Sequence, residues 1–332
     1  MKIIIKDSHK IFIAGGTGMV GSSLKRAFYK KFPNKIFIEE NILTPSRKEL
    51  DLSDSIKVER WFKRNKPEIV ILAAAKVGGI LANSKYPADF LIQNLKIQNN
   101  VIQSSFSNNV KKFVFLGSSC IYPKLSSQPI KEEYLLANYL ESTNESYAIA
   151  KIAGMKLVEA LRTQYDFDAI SLMPPNLYGP NDNYHPQNSH VMPALIRKFL
   201  LAKEKNLPSV SCWGSGNVER EFMHVDDLAK GIIFCIENWD PNSNNAPKDC
   251  NGKILNHLNI GTGRDITIKN LAKKISNIIK FRGDILWDKS KPDGTPKKLL
   301  DVSRLNRLGW KATIDINEGI KQTIKNLDIL SL

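Results

Sequence analysis

The chain has 332 residues, of which 42% are hydrophobic and 24% charged. That balance excludes a disordered chain, and the length suits one large domain with a smaller lobe. The formal net charge of +15 raises nucleic-acid binding, but the cations fall in short scattered groups such as Lys30-Lys31, Lys111-Lys112 and Lys297-Lys298. Without a long basic stripe or a recognisable module they read as solvated surface, with a few left for phosphates of small ligands, and no nucleic-acid partner is expected. No segment has the length and apolarity of a membrane span, and the opening MKIIIKDSHK carries no secretory pattern. Cys120, Cys212, Cys235 and Cys250 are widely spaced, with no CxxC pair and no zinc spacing, so a reduced cytoplasmic setting without a bound metal is expected.

Residues 10–14 (KIFIA) read as a short buried strand, followed by the glycine run 15–21 (GGTGMVG) and a helix through Lys30. Residues 35–39 (KIFIE) form the expected second strand, and Ser53 or Asp54 caps a helix that reaches about Asn65 and ends at Pro67. Near-continuous apolar runs at 68–73 (EIVILA) and 112–117 (KFVFLG) suit parallel strands buried on both faces, with a long helix after Pro87 between them. A further helix runs from Tyr147 through Tyr165, and residues 168–173 are the next strand. This alternation predicts an α/β fold, a doubly wound parallel sheet of the Rossmann kind.

After Pro174 the regular alternation stops. A loop rich in Pro, Asn and His runs to Ser189, followed by mixed helices and short strands that make a smaller C-terminal α/β lobe. His224-Val225-Asp226-Asp227 reads as a helix start, and residues 254–260 read as a strand returning to the sheet. The expected division is therefore discontinuous: 1–175 with 222–262 in the sheet domain, and 176–221 with 263–332 in the lobe.

Gly15-Gly16-Thr17-Gly18-Met19-Val20-Gly21 is a GxxGxxG run. Absent Cβ atoms let the backbone approach a pyrophosphate, and the N-terminus of the next helix favours its negative charge. Such a run alone is also an ordinary tight turn; its place between the first strand and the first helix points to a dinucleotide. Tyr147 and Lys151 stand at i and i+4, on one helix face. A nearby cation lowers a phenol's pKa, so Tyr147 can exchange a proton with a sugar hydroxyl or ketone as hydride moves to or from a nicotinamide. A YxxxK pair is also common on amphipathic surfaces, but here it follows Gly117-Ser118-Ser119 at a strand end, and the constellation is specific.

Further stretches sharpen the reading: LAAAKVGGI (72–80), YPADF (86–90), LGSSCIYP (116–123), NLYGP (176–180), NSHV (188–191) and KPDGTP (291–296). On these, over nearly its whole length, the chain resembles the GDP-L-fucose synthase family of extended short-chain dehydrogenases/reductases. The resemblance implies 3,5-epimerisation and NADPH-dependent 4-reduction of a GDP-linked 4-keto-6-deoxy sugar, with a related GDP-linked heptose or 3-deoxy sugar as the alternative substrate. A 4-keto group acidifies the C–H bonds at C3 and C5, so inverting both centres needs a base on one side and an acid on the other. Cys120 and His190 match the family's base and acid, Tyr147 its proton donor at C4, Lys151 its nicotinamide-ribose ligand and Ser118 the hydroxyl on the reacting oxygen. Read without the resemblance, Cys120 is first a buried structural thiol, the commonest fate of a cysteine, and His190 a capping or core residue, and nothing in the sequence supplies the help a thiol needs to act as a base.

The same resemblance implies cofactor contacts from the glycine run, from Leu116, Gly117, Ser118, Ser119 and Lys151, and from Pro174, Pro175, Asn176, Leu177 and His190. It implies Lys198, Trp213, Arg220, Asp293 and Lys298 for the GDP-sugar, although Trp213 also reads as simple core. Glu39-Glu40 at the end of the expected second strand favour an NAD ribose, whereas Arg47 and Lys48 suit a 2′-phosphate. NADPH, the family norm, is the expected cofactor. A homodimer is expected too, with 87–109 and 147–165 as the candidate pairing helices.

Overall fold

The computed structural model describes residues 3–33, 39–291, 293–325 and 327. Strand β1 (Ile11–Ala14) is buried along its whole length and leads through the glycine run into a helix, Met19–Lys31. With β2 (Ile42–Leu43), β3 (Ile69–Leu72), β4 (Lys112–Leu116), β5 (Ala169–Met173) and a late strand, β9 (His257–Asn259), it forms a parallel sheet in the order β2-β1-β3-β4-β5-β9 among the described residues.

The two faces of that sheet explain its sequence. Ile11, Ile13, Ile69, Ile71, Val114 and Leu116 enter a core with Leu24 and Phe28 of the first helix and Leu228 and Ile232 of helix Val225–Asn238. Their neighbours Phe12, Ala14, Val70, Leu72, Phe113 and Phe115 enter another, with Phe62 of helix Ser55–Asn65, Val101 of helix Pro87–Ser107 and Val158 of helix Glu145–Tyr165. Both faces are covered by helices, so apolar side chains stand at both parities of these strands. The doubly wound sheet expected from the alternation is present. Its helix ends follow local chemistry: Asp54 accepts a hydrogen bond from the Lys57 amide, and Pro87 stands in the first turn of its helix, where its missing N–H costs nothing.

A short strand that the sequence did not suggest pairs with β1. Residues 35–38 of the anticipated second strand lie outside the described residues, and the strand that pairs with β1 is Ile42–Leu43, with Ile11 opposite Ile42. Glu39 and Glu40 are helical and precede it. The acidic pair therefore does not end the strand beside the glycine turn; Thr44-Pro45-Ser46-Arg47-Lys48 follows that strand instead.

The scattered cations are not all solvated either. Lys112 is fully buried, with its Nζ 3.0 Å from Asp168, which a buried ammonium requires. Lys297 pairs with Glu219 at 2.9 Å and Asp265 at 2.8 Å.

The rest of the chain builds around β6 (Asn176–Tyr178), β7 (Ser209–Trp213), β8 (Glu219–His224), β10 (Asp265–Thr267), β11 (Asp284–Asp288) and β12 (Lys297–Lys298). Strand β8 lies between β10 and β12 and also pairs with β6, while β7 pairs with β11. Helices Val191–Glu204 and Ile268–Ile279 pack on these strands in a third core that includes Tyr178, Phe222 and Ile320. The His224 ring accepts from the Asp226 amide at 3.2 Å, starting the helix that brings the chain back to the first sheet before β9. Among the described residues no helix is long and apolar enough to cross a membrane, and no group of His, Cys, Asp and Glu is arranged to hold a metal.

Candidate active site

Strand order reverses at β1, with β2 on one side and β3 on the other, and such a reversal opens a crevice at the carboxyl ends of the strands. The glycine turn lies there. A Cβ on Gly15 would sit 2.9 Å from the Ala74 backbone, one on Gly16 2.4 Å from the Thr44 side chain, and one on Gly21 2.2 Å from the Gly15 carbonyl oxygen. Gly15 also has φ +87°, a conformation that L side chains rarely adopt. The helix that starts after Gly18 has no side-chain cap. A tight turn of this shape under an uncapped helix N-terminus fits a dinucleotide pyrophosphate. Thr17 is exposed at the tip of the turn, Met19 and Val20 open the helix, and Arg47 and Lys48 are exposed on the turn after β2, with charge that fits a 2′-phosphate.

Next to this turn, β4 delivers Leu116 and Gly117, where a Cβ would meet Met173 Sδ at 2.2 Å. Ser118 follows and starts a short 3-10 turn, Ser119–Ile121, its hydroxyl accepting from the Cys120 amide at 3.2 Å. The Ser119 amide donates to the Pro174 carbonyl at 2.9 Å, joining this turn to Pro174-Pro175 after β5. Helix Glu145–Tyr165 carries both Tyr147 and Lys151. The Lys151 ammonium donates to the Leu116 carbonyl at 2.7 Å and lies 5.0 Å from the Phe115 ring centroid and 5.9 Å from that of Tyr147. Burial brings its pKa down to about 8.

Tyr147 differs from expectation. Its pKa is raised, by burial first and then by negative charge on Cys120, with a hydrogen bond to Ser118 opposing. Lys151 is turned toward the Leu116 carbonyl, so desolvation outweighs the cation and the phenol holds its proton.

Cys120 is half-buried. Asn144 Nδ2 lies 3.6 Å from its Sγ and Lys298 Nζ lies 3.8 Å away. Lys298 on β12 is register partner to Arg220 on β8, so both cations face the same side. Arg220 is buried enough to lower its pKa, opposed by the charges of Cys120, Asp293 and Glu141. Lys298, expected on the GDP-sugar, thus lies against the thiol.

His190 is the residue before helix Val191–Glu204 and caps no backbone group with its side chain. Solvent reaches it, yet the surrounding cleft desolvates the imidazole and lowers its pKa. Its loop is docked by the Gly78-Gly79 turn: the Gly79 amide donates to the Asn188 carbonyl at 3.2 Å, and a Cβ on Gly79 would meet the Ser189 oxygen at 2.7 Å. On the other side of that turn, a Cβ on Gly78 would be 3.1 Å from Phe90, whose ring packs edge-on to Tyr147 with centroids 6.5 Å apart.

Trp213 is not core. It is half exposed at the end of β7, with the ammonium groups of Lys198 and Lys291 5.6 and 5.7 Å from its ring. Lys198 also donates to the Ser211 carbonyl at 2.7 Å. The Asp293 carboxylate accepts from the Ser215 amide at 2.8 Å and so ties its own loop down, while its carbonyl accepts from Arg220 at 3.3 Å. Leu177 packs on the first core, and the Asn176 side-chain Nδ2 donates to the Glu221 carbonyl at 2.9 Å.

Two residues escaped the sequence reading. Asn144, three positions before Tyr147 on the same helix face, was within reach of an i, i+3 argument. Glu221 was not: its fully buried carboxylate accepts from the amides of Thr262, Gly263 and Leu300 at 2.6, 2.9 and 2.8 Å, tying three chain segments beneath Arg220.

A family model described as the NAD dependent epimerase/dehydratase family matches residues 11–260. GDP-L-fucose synthase 1 of Arabidopsis thaliana is 50% identical over 316 residues, 95% of this chain and 92% of its own length. GDP-L-fucose synthase of Escherichia coli (strain K12) is 48% identical over 321 residues, 96% of each chain. A solved structure of a GDP-mannoheptose C4 reductase from Campylobacter jejuni with NADP bound superposes with a TM-score of 0.85 at 40% identity, covering 97% of this chain and 99% of that one. Fold, glycine turn and relatives agree: the chain belongs to the NAD dependent epimerase/dehydratase family.

Proposed function

We propose that the protein is a GDP-sugar epimerase and reductase that inverts C3 and C5 of GDP-4-keto-6-deoxy-D-mannose and reduces C4 with NADPH, forming GDP-L-fucose. The observation that carries this reading is the meeting of Cys120, Tyr147, Arg220 and Lys298 in one crevice, a base candidate beside an acid candidate with two cations near the thiol. The relatives' names supply the sugar, and the displacement of Glu39-Glu40 from the end of β2 favours the 2′-phosphate.

The glycine turn, Arg47 and Lys151 would hold NADPH, which supplies hydride for C4 when bound. Cys120 takes the proton from C3 and later from C5; each time the C–H electron pair moves to the C4 oxygen, where the Ser118 and Tyr147 hydroxyls stabilise it. His190 returns a proton to the opposite face, and its lowered pKa makes its imidazolium a strong acid. In the reduction Tyr147 gives its proton to O4, a role suited to a phenol whose pKa is raised. Lys198, Trp213 and Arg220 offer charge and an aromatic face to the GDP moiety. The likeness to a GDP-mannoheptose reductase supports a second reading, reduction of a GDP-linked heptose, but the fucose synthases are 48–50% identical and the heptose enzyme 40%.

The residue ranges 1–175 with 222–262, and 176–221 with 263–332, serve as cofactor and sugar lobes in this reading. Ile92 and Ile149, about half exposed on helices Pro87–Ser107 and Glu145–Tyr165, support pairing of those helices in a homodimer. The unpaired cysteines suit a reduced, cytoplasmic setting.

Cys120→Ser separates the two chemistries. Solvent deuterium incorporation at C3 and C5 of the keto sugar should collapse, while a 4-keto substrate already in the L-configuration is still reduced. Exchange at the unmodified rate would make the thiol structural.

A further inference from the structure

We propose that Asn144 and Lys298 form a cradle that holds Cys120 as a thiolate aimed into the crevice, each a positioning residue for the base. The inference rests on the reading of Cys120 given above and names what activates it.

The cradle is built from three separate elements. Cys120 lies on the 3-10 turn after β4, Asn144 at the start of helix Glu145–Tyr165, and Lys298 on β12. Asn144 stands at a helix N-cap, where an asparagine ordinarily accepts from the first backbone amides. It makes no such bond: its Nδ2 points at Cys120 Sγ, 3.6 Å away, and its Oδ1 is buried with no hydrogen-bond partner among the described residues. A polar side chain that gives up a cap to address a sulfur is held there by its surroundings. Glu141 supplies that hold, accepting from the Thr143 amide at 3.1 Å and fixing the 3-10 turn Ser142–Asn144.

Lys298 brings the charge. Its neighbour Lys297 points to the other side of β12 and is consumed by Glu219 and Asp265, whereas Lys298 Nζ lies 3.8 Å from Sγ. Beside it Arg220 adds a second cation within Coulombic range of the sulfur. An ammonium beside a thiol, together with an amide N–H donor, favours the anion over the thiol, and the anion is the form that can accept a proton from carbon. Forming it releases the Sγ proton to solvent; accepting the substrate proton restores the thiol, and the C–H electron pair goes to the C4 oxygen.

The test reads the thiolate directly, in the enzyme without substrate. Alkylation of Cys120 by iodoacetamide is followed by mass spectrometry of its peptide from pH 6 to 10, for the unmodified protein, Asn144→Ala, Lys298→Met and Lys298→Arg. Lys298→Met should lower the Cys120 alkylation rate at pH 7 about tenfold, with a smaller loss for Asn144→Ala. Lys298→Arg should restore most of the rate. Profiles of Lys298→Met and Asn144→Ala that overlay that of the unmodified protein, with NADPH binding intact, would overturn the cradle. Solvent deuterium exchange at C3 and C5, run on the same variants, separates this from the role of the thiol. If alkylation shifts but exchange does not, the cradle stands and another group is the base; if exchange needs Cys120 but alkylation is unmoved, the base stands without the cradle.

Discussion

At the scale of single residues, burial decides the protonation states that the chemistry needs. Tyr147 keeps its proton because desolvation raises its pKa, which suits the donor role proposed for it. Tyr147→Phe keeps the ring and its packing on Phe90 but removes that proton, and should lower C4 reduction on the order of 10²–10⁴-fold with NADPH binding unchanged. Titrating binding and turnover separately checks this; near-normal NADPH oxidation would remove Tyr147 from the role. Lys151 gives a stability signature. Its pKa falls from 10.5 to about 8 on folding, so the unfolded chain binds more protons between those values and stability rises with pH across that window. Below it the ammonium is buried charged in full, at a cost of about 3 kcal/mol. Lys151→Met should therefore be more stable than the unmodified protein at pH 7, and urea melts should show the gap narrowing toward pH 10. A gap independent of pH would contradict the buried charge. The YxxxK spacing made both residues legible in the sequence, whereas the proximity of Lys298 to Cys120 was hidden, because 178 positions separate them and only the β8–β12 pairing brings them together.

At the scale of elements, strands buried on both faces were readable because their apolar runs admit no polar alternation, and the helices because Asp54 and Pro87 mark their starts. Strand β2 was not, since two residues, Ile42–Leu43, are too few to carry a period, and the more apolar stretch upstream drew the assignment. Glu221 was unreadable for a different reason: within the charged run of β8 it looks solvated, and its amide partners come from two distant loops. The turn at Gly78-Gly79 yields the sharpest prediction at this scale. Gly79 has φ −69°, which any residue adopts, so its glycine is required by space alone. Gly79→Ala would press a methyl group against the Ser189 oxygen, now 2.7 Å from the Cβ position, and displace the loop that carries His190. Proton exchange at C3 and C5 should fall on the order of 10²-fold with little effect on the apparent KM for NADPH. Equal losses in exchange and in cofactor binding would indicate general unfolding instead.

At the scale of the whole molecule, the six-stranded sheet and the strands around β8 each supply what the other lacks. The sheet contributes the glycine turn, the Ser118-Cys120 turn and the Tyr147 helix; β8 and β12 contribute Arg220 and Lys298; β7 and the 293 loop contribute Trp213 and Asp293. In the proposed reading the sugar chemistry takes place where these meet, so one active site should perform both epimerisation and reduction. The direct test is to incubate the protein with GDP-4-keto-6-deoxy-D-mannose and NADPH in deuterated water and identify the product by NMR. The account predicts GDP-L-fucose carrying solvent deuterium at both C3 and C5; a C4-reduced sugar that keeps its original protons and the D-configuration at those centres would contradict it.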